Sequence, residues 1–330
     1  MTARAPSEDQ LDSDPTGWAA SLLAMHSLES GPLRPMAGWS NSLWASGARV
    51  VRISSGRFEH SLSHEAKVLR SLPHVPCPRV LANGVVGQRR EWMIQTRAPG
   101  VDLMRAWPHL DPPERERAVR SMAQALRAVH ATPLRTELRE PPWRAAALRP
   151  GGDLSTALRV HPRRHRQLVD AGLERGTAAE SLLLATTSFI EARLGAFADD
   201  GEVLTHGDLT FANVIWDGSQ ARLVDFESSG AAPIDRELDL LLRFVTSPEA
   251  FSPGAATDST ALYEPVIGWL RDAYPEMFAH PDLVRRLEVY DALWELVQLL
   301  NYPADHPRDT AARLETIVTG RAPWISVIGR

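Results

Sequence analysis

Residues 204–227 contain the side chains of this chain that are best suited to chemistry. They include Asp208, Asn213 five residues later, and Asp225 twelve residues beyond that. One carboxylate could accept or orient the proton of an attacking hydroxyl, while an amide oxygen and a second carboxylate could hold magnesium against nucleotide phosphates. A His-x-Asp-x-x-x-x-Asn loop followed by an Asp is the order in which many phosphoryl-transfer sites present these groups. The segment therefore predicts phosphoryl transfer.

Two predicted strands must position these groups. Residues 213–216 and 221–225 both have strand-like patterns, and Asp217-Gly218 between them is typical of a two-residue hairpin turn. Such a hairpin would begin at Asn213 and finish at Asp225. We therefore expect both metal-ligand candidates at the same end of the hairpin.

Composition excludes several other classes of protein. The chain has 330 residues and a net charge of −5, which argues against a basic surface for nucleic acid. Its single cysteine, Cys77, excludes an intramolecular disulfide. No apolar run approaches the ~18 residues that cross a membrane, and the N-terminus has no leader pattern. We expect a cytoplasmic protein without nucleic-acid or membrane partners.

The predicted elements divide the chain into two lobes. After a flexible tail at 1–15, we expect a helix over 16–30, three strands within 36–55 and a helix over 64–72. Strands at 79–81 and 91–95 follow, separated by a turn at Asn83-Gly84. The pattern predicts an α+β fold with a small antiparallel sheet lobe at 16–96 and a larger, mainly helical lobe at 97–330.

The second lobe shows repeated helical periodicity. We expect helices over 112–130, 177–194, 238–244, 260–272 and 282–300. The basic run at 161–166 is most simply a solvated face.

On these features the chain resembles the aminoglycoside phosphotransferase family, the small-molecule branch of the protein-kinase-like fold. The resemblance extends from about residue 36 to about residue 300 and is strongest at 204–227. It implies a bilobal kinase-like fold, ATP or GTP as phosphate donor, and Mg2+. It also implies a small molecule with a hydroxyl group as the acceptor.

The resemblance assigns a nucleotide-binding role to the first lobe. Gly38-Trp-Ser-Asn-Ser42 is similar to the turn that covers the phosphates, which implicates Gly38, Ser40, Asn41 and Ser42. Arg52 occupies the position where the family usually has a phosphate-binding lysine, and Glu65 is its expected partner. Lys67, the only lysine, lies two residues from Glu65 and so on another face of the helix.

The resemblance also distributes roles in the second lobe. Asp208 would be the catalytic base or the group that orients the substrate hydroxyl, and Asn213 and Asp225 would bind magnesium. His206 and Asp239 would support the site structurally, His206 by bracing the loop and Asp239 by capping a helix and steadying the catalytic loop. Glu227 could reach a second metal ion or its water, or it could be a solvated residue at the end of a strand.

The acceptor is less well defined. From Asp235 onwards the chain has fifteen acidic residues against nine arginines. Glu288, Asp291 and Glu295 recur on one face of the helix predicted at 282–300. Such a face could bind a cationic antibiotic, which would indicate resistance or self-protection, or it could be the solvated side of an ordinary amphipathic helix. Amino alcohols, sugars and macrolides remain alternative acceptors, and both monomer and dimer are compatible with the sequence.

Two further functions compete with the leading one. A metal-dependent hydrolase could use His206, Asp208 and Asp225, although it would need additional His and Asp ligands. A nucleotide-binding pseudokinase or regulatory module would explain the missing lysine at position 52. Protein kinase activity is disfavoured, because no Ala-Pro-Glu segment follows Asp225.

Overall fold

The chain folds into an antiparallel sheet followed by a mainly helical region, so the predicted α+β fold is confirmed. Gly38 and Ser40 of the predicted phosphate turn lie outside the described residues, as does most of the basic run at 161–166. The computed structural model describes residues 8–28, 31–36, 41–55, 61–87, 90–139, 165–176, 178–198, 201–248, 260–301, 307–322 and 324–328.

The N-terminal sheet has five strands in the order β1-β2-β3-β5-β4, all antiparallel to their neighbours. Gly47, with a φ of 53°, lies in the turn between the second and third strands. The strands are β1 (Arg34–Met36), β2 (Asn41–Ser46), β3 (Arg49–Ser54), β4 (Val80–Val86) and β5 (Arg90–Thr96).

Two short helices cover one face of this sheet. They are α1 (Glu8–Ser13) and α2 (Pro15–Met25), and Leu11 and Trp18 pack with the sheet residues Val51 and Ile94. Asp14 begins α2 by accepting a hydrogen bond from Gly17 N at 2.8 Å. Residues 8–15 therefore differ from the expected flexible tail, because burial of Leu11 holds α1 against the lobe.

The opposite face of the sheet packs against α3 (Ser61–Ser71), which ends before Pro73 as predicted. The predicted turn at Asn83-Gly84 is wrong, because both residues lie inside β4. Gly84 lies beneath the Trp92 ring, where a Cβ would approach the ring within 2.7 Å. The glycine therefore serves close packing within the strand, whereas Gly87, with a φ of 62°, follows the end of β4.

The chain then enters the helical region through Gly100. Its φ is 113°, and a Cβ there would collide with the carbonyl group of Trp216. Five short strands follow in two small sheets, β6-β8-β9 and β7-β10. They are β6 (Val101–Asp102), β7 (Val203–Thr205), β8 (Val214–Trp216), β9 (Ala221–Leu223) and β10 (Gly230–Ala232).

The helices of this region largely follow the predicted periodicity. The helix predicted at 112–130 has those bounds, because Asp111 and Glu114 form a capping box and Pro112 occupies its first turn. The helix predicted at 260–272 is split in two around Pro265, which has no N–H to donate. The helices are α4 (Leu103–Ala106), α5 (Pro112–His130), α6 (His165–Arg175), α7 (Glu180–Glu191), α8 (Leu238–Thr246), α9 (Thr260–Tyr263), α10 (Val266–Ala273), α11 (Leu283–Asn301), α12 (Pro307–Val318) and α13 (Ile325–Ile328).

Candidate active site

The hairpin of β8 and β9 brings two predicted ligands to one end. Val214 pairs with Leu223, and Val224 N donates to Asn213 O at 3.0 Å, so Asn213 and Asp225 lie side by side at the open end. The turn is longer than the predicted two residues and spans 217–220, since Trp216 pairs with Ala221. The Asp217 carboxylate closes it by accepting from the backbone N–H groups of Ser219 and Gln220.

Asn213 is joined directly to Asp208. Its Nδ2 donates to the Asp208 carbonyl oxygen at 2.8 Å and to the Asp208 carboxylate at 3.1 Å. The amide nitrogen is thereby committed to the loop, which leaves the amide oxygen as the atom that could contact a cation. The same bonds hold the Asp208 carboxylate at the base of the hairpin.

Asp225 adopts a left-handed backbone conformation, with a φ of 67° and a ψ of 65°. For a residue other than glycine this conformation costs about 1–2 kcal/mol. Its side chain is about one third exposed, at 32%. Backbone strain of this kind is concentrated at functional sites, where the surrounding structure maintains it.

Arg52 connects the two lobes at this point. Its Nη1 donates to Glu65 on α3 at 2.6 Å, and its Nη2 donates to Asp225 at 2.8 Å. Glu65 also accepts from Phe226 N at 3.3 Å. Burial raises the pKa of Glu65, while the positive charge of Arg52 opposes that effect. The partnership that the resemblance implied for Arg52 and Glu65 is therefore present, with a metal-ligand candidate attached to it.

Glu227 lies beside this ion pair in a short 3-10 helix and is half-buried, which does not suit a solvated strand end. Asn41 Nδ2 donates to its carboxylate at 3.4 Å from β2. Burial and then the negative charge of Asp225 raise the pKa of Glu227 to about 8. The carboxylate thus belongs to the cleft between the lobes.

Asn41 and Ser42, the described residues of the predicted phosphate turn, project to opposite faces of the sheet. Asn41 is buried and reaches Glu227 across the cleft. Ser42 pairs with Ile53 and shares the sheet face that α1 and α2 cover. Because side chains alternate along a strand, the Ser42 side chain projects away from the face that carries Arg52, so a nucleotide contact at Ser42 would involve its backbone. Lys67 is exposed on α3 and forms no part of the Arg52 cluster.

A family model described as the APH phosphotransferase enzyme family matches residues 32–277. The chain belongs to this family. It is therefore a phosphotransferase, of a family that phosphorylates hydroxyl groups of small molecules. Helices α1 and α2 precede the matched residues, and α11, α12 and α13 follow them.

Several solved structures share the fold of this phosphotransferase. The aminoglycoside phosphotransferase APH(3'')-Id from Streptomyces rimosus, in complex with ADP and streptomycin, is 20% identical, with 88% of this chain and 98% of that chain covered and a TM-score of 0.56. A choline/ethanolamine kinase family protein from Mesorhizobium loti is 18% identical, with 96% and 99% covered and a TM-score of 0.59. A thermostable mutant of APH(4)-Ia, in complex with ADP and hygromycin B, is 17% identical, with 94% and 97% covered and a TM-score of 0.59. None of the curated protein sequences matches the chain significantly.

In this phosphotransferase, His206 braces the loop that carries Asp208. Its Nε2 donates to Val224 O at 2.9 Å, and its Nδ1 accepts from Asp208 N at 3.3 Å. Both ring nitrogens are therefore engaged by the backbone. Gly207, between the two residues, has a φ of 80°, and a Cβ there would collide with the Ser228 carbonyl group.

Glu237 is the acidic residue that steadies the loop carrying Asp208, and sequence reasoning missed it. Its buried carboxylate accepts from the backbone N–H groups of His206 and Gly207 and contacts His130 Nε2 at 3.3 Å. Burial alone would raise the pKa of Glu237, but the hydrogen bond from His130 and the charges around it lower the pKa below its ordinary value.

The assignment of that steadying role to Asp239 is wrong. Asp239 is buried in α8 and forms ion pairs with Arg236 and Arg243, and no side-chain hydrogen bond caps the helix. Glu237 and Asp239 are two positions apart, which corresponds to about 200° around a helix. Residues 235, 237 and 239 are all acidic, which indicates that one of them could contact the loop. Only the path of the chain shows which of these carboxylates faces the loop.

The acidic face expected on α11 is not solvent-exposed. Glu288 is paired with Arg193 at 2.6 Å, and Glu295 is paired with Arg243 at 2.7 Å and with Arg313 at 3.2 Å. Asp291 is paired with Arg243 and accepts from Trp324 Nε1 at 3.0 Å. Glu288, Asp291 and Glu295 are each less than a tenth exposed. These carboxylates are better explained as structural ion pairs than as ligands of a cationic acceptor.

Within the described ranges, no helix combines the length and apolar character needed to span a membrane.

Proposed function

We propose that this phosphotransferase transfers the γ-phosphate of ATP, with Mg2+, to a hydroxyl group of a small molecule. The observation that carries the proposal is the double contact of Arg52, which reaches Glu65 in one lobe and Asp225 in the other. The contact places a fixed positive charge beside the hairpin that holds Asp208 and Asn213. Phosphoryl transfer depends mainly on such positioning and charge stabilisation.

Asp208 would receive or orient the proton of the acceptor hydroxyl. The hydrogen bond from Asn213 Nδ2 fixes one side of its carboxylate at 3.1 Å. The loop that carries it is held by Glu237 through two backbone N–H groups and by His206 through Val224. A carboxylate restrained in this way presents a fixed orientation to the acceptor hydroxyl. That orientation contributes more to the rate than the basicity of the carboxylate alone.

Arg52 would hold the α- and β-phosphates in place of a lysine. Its guanidinium is nine-tenths buried or more, and the carboxylates of Glu65 and Asp225 keep it charged. Arginine offers several N–H groups in one plane, so it can contact two carboxylates and still present a donor to phosphate. Position 52 therefore does not require lysine for a nucleotide to bind.

The oxygen atoms of Asn213 and Asp225 suit a magnesium ion. Mg2+ prefers carboxylate and carbonyl oxygens, and the Asn213 amide nitrogen is already committed to Asp208. When bound, the ion would neutralise charge on the β- and γ-phosphates. Glu227 lies close enough to Asp225 for the negative charge of Asp225 to raise its pKa. It would add a third acidic group to the same end of the cleft.

The acceptor is proposed from the relatives and not from the α11 carboxylates. Structures of the same fold hold streptomycin or hygromycin B, so hydroxylated antibiotics are the first candidates, with resistance or self-protection as the biological role. The choline/ethanolamine kinase family protein makes amino alcohols the second candidate. Because the α11 carboxylates are occupied by arginines, a highly cationic acceptor is not favoured over a neutral one.

The competing functions receive less support. A hydrolase that uses His206 as a metal ligand conflicts with the engagement of both ring nitrogens by the backbone. A pseudokinase would have no use for an Asp208 carboxylate that Asn213 and Glu237 help to position.

The experiment is to incubate the purified protein with magnesium-ATP and a panel of acceptors and to detect added phosphate by mass spectrometry. The panel should contain aminoglycosides, macrolides, choline and ethanolamine. Phosphorylation of any member, absent in Asp208→Asn, supports the proposal and identifies the acceptor class. Nucleotide binding with no transfer to a broad set of alcohols would instead support the pseudokinase.

A further inference from the structure

Three consecutive residues of α3 point in three directions, because successive helix residues are separated by about 100°. Ser63 faces β5, where its backbone N–H donates to the Glu91 carboxylate at 3.2 Å. Glu65 faces β3, where it pairs with Arg52. His64 lies between them in sequence, and its side chain crosses to the second lobe.

The partner of His64 is the backbone of Ser229. Its Nε2 lies 2.9 Å from the Ser229 carbonyl oxygen, across 165 positions of sequence. A carbonyl oxygen can only accept, so Nε2 carries the proton. His64 and Ser229 are 1% and 0% exposed, so water does not compete for this hydrogen bond. A second hydrogen bond from the same segment to α3, from Phe226 N to Glu65, is longer at 3.3 Å.

Ser229 in turn contacts the loop that carries Asp208. Its hydroxyl donates to His206 O at 3.1 Å. Its backbone N–H donates to Phe226 O at 3.2 Å, and Phe226 directly follows Asp225. One buried residue thus joins three parts of the site, which are α3, the segment after Asp225 and the loop before Asp208.

The segment and the loop that meet at Ser229 are closely packed. Thr205 Oγ1 donates to Gly230 O at 2.9 Å. A Cβ at Gly207 would approach the Ser228 carbonyl oxygen within 2.4 Å. A displacement of residues 226–230 would therefore disturb residues 205–207 as well.

From these contacts, and resting on the proposed use of a nucleotide, we infer that His64 is a positioning residue for the phosphate site. Its hydrogen bond to Ser229 fixes α3 against the second lobe. The fixed helix keeps Glu65 where it holds the Arg52 guanidinium, so the donor for the phosphates is in place before the nucleotide binds.

The two ends of this junction should have separable effects. Loss of the His64 side chain releases α3 and should weaken nucleotide binding. Loss of the Ser229 hydroxyl frees the His206 carbonyl group and should slow transfer. The Ser229 carbonyl group remains bonded to His64 in that case, so nucleotide binding should be preserved.

The first test measures equilibrium binding of a non-hydrolysable ATP analogue with Mg2+ to the wild type, His64→Ala and His64→Gln. We expect His64→Ala to bind the analogue roughly 3- to 10-fold more weakly, the range of one net hydrogen bond. His64→Gln should recover most of the affinity, because its amide nitrogen can donate at a similar reach. Lys67→Ala is the matched control on the exposed side of α3 and should bind as the wild type does.

The second test uses Ser229→Ala in the same binding assay and in steady-state kinetics. We expect an affinity for the analogue within twofold of the wild type and a fall in kcat on the order of tenfold, because the loop that carries Asp208 is less well positioned. A loss of affinity equal to that of His64→Ala would show a general effect of weakened packing and would overturn the separation of roles.

Wild-type affinity in folded His64→Ala would overturn the inference, as would equal losses in His64→Ala and His64→Gln. Thermal unfolding establishes that each variant is folded, and His64→Phe, which fills the space without a donor, replaces an alanine variant that does not fold. Absence of analogue binding by the wild type would overturn the proposed function itself, so the two failures are distinguishable.

Discussion

The segment that contains Asp208 and the β8–β9 hairpin, and helix α11, both carry acidic residues at regular spacing, but these residues have different partners in the structure. At the hairpin, Asp225 is one third exposed, and the half-buried Asp208 carboxylate accepts a hydrogen bond from Asn213. On α11, Glu295 is 2% exposed and is paired with Arg243 and Arg313. We propose that the first set meets a ligand, whereas arginines neutralise the second set within the protein.

The difference lies in the partners, which are distant in sequence. Arg193 and Glu288 are 95 positions apart, and Arg243 and Glu295 are 52 apart. Spacing on a helix shows that acids share a face but not what covers that face. In the hairpin, by contrast, Asp208, Asn213 and Asp225 are assembled by local pairing within one short segment.

Beyond Asp208, the largest effect is expected from Arg52→Ala, which removes the charge that joins Glu65 to Asp225. Loss of hydrogen bonds to charged groups should reduce kcat/KM roughly 100-fold. Arg49→Ala is the matched control, because Arg49 lies on the same strand with its side chain on the opposite face. Steady-state kinetics on both variants would measure this, and normal kinetics for Arg52→Ala would remove Arg52 from the phosphate site.

A smaller effect is expected from Glu237→Gln, which weakens the acceptor for the backbone N–H groups of the loop that carries Asp208. A slight displacement of Asp208 should lower kcat on the order of tenfold and leave the KM for ATP nearly unchanged. Asp239→Asn is the comparison, because that residue does not contact the loop. An equal loss of kcat in both variants would show a general effect of weakened packing.

Glu237 should also affect stability in acid. Its pKa is lower in the folded protein than in the unfolded chain, so its contribution is complete above the ordinary glutamate pKa of ~4.3 and disappears as the pH falls through the folded value. The wild type should therefore lose stability below about pH 4 more steeply than Glu237→Gln. Denaturant unfolding at several pH values measures the two slopes, and parallel slopes would contradict the assignment.

The smallest effect on activity is expected from Glu288→Gln on α11. Its ion pair with Arg193 is partly buried, so its removal should cost about 1 kcal/mol of stability and change the KM for the acceptor less than twofold. Glu315→Gln on α12 is an exposed control. A large rise in acceptor KM without loss of stability would restore the acidic face as a binding surface.

Sequence reasoning predicted the fold well where local signals were strong. Helical periodicity located α5, and the spacing of Asp208, Asn213 and Asp225 located the hairpin of β8 and β9. It failed where tertiary contact decided the outcome. Gly84 was read as a turn residue because glycine is common in turns, whereas it makes room for Trp92 inside β4.

The site was predictable to a similar degree. The Arg52–Glu65 pair followed from the family pattern, but the role of Glu237 depended on how residues 233–238 approach the loop. The register of β2 against β3 decides on which face of the sheet the Ser42 side chain lies. A shift of one residue would place that side chain on the other face.

The contrast between hairpin and helix is tested most directly by comparing Asp208→Asn with Glu295→Gln in one experiment. The readouts are the rate of phosphate transfer to an acceptor identified from the panel and the thermal midpoint. Asp208→Asn should lose transfer by about 10²- to 10⁴-fold and keep the wild-type midpoint. Glu295→Gln should keep transfer per folded molecule and lose about 3 kcal/mol of stability. Retained transfer in Asp208→Asn, or lost transfer in a fully stable Glu295→Gln, would contradict the proposed division of roles.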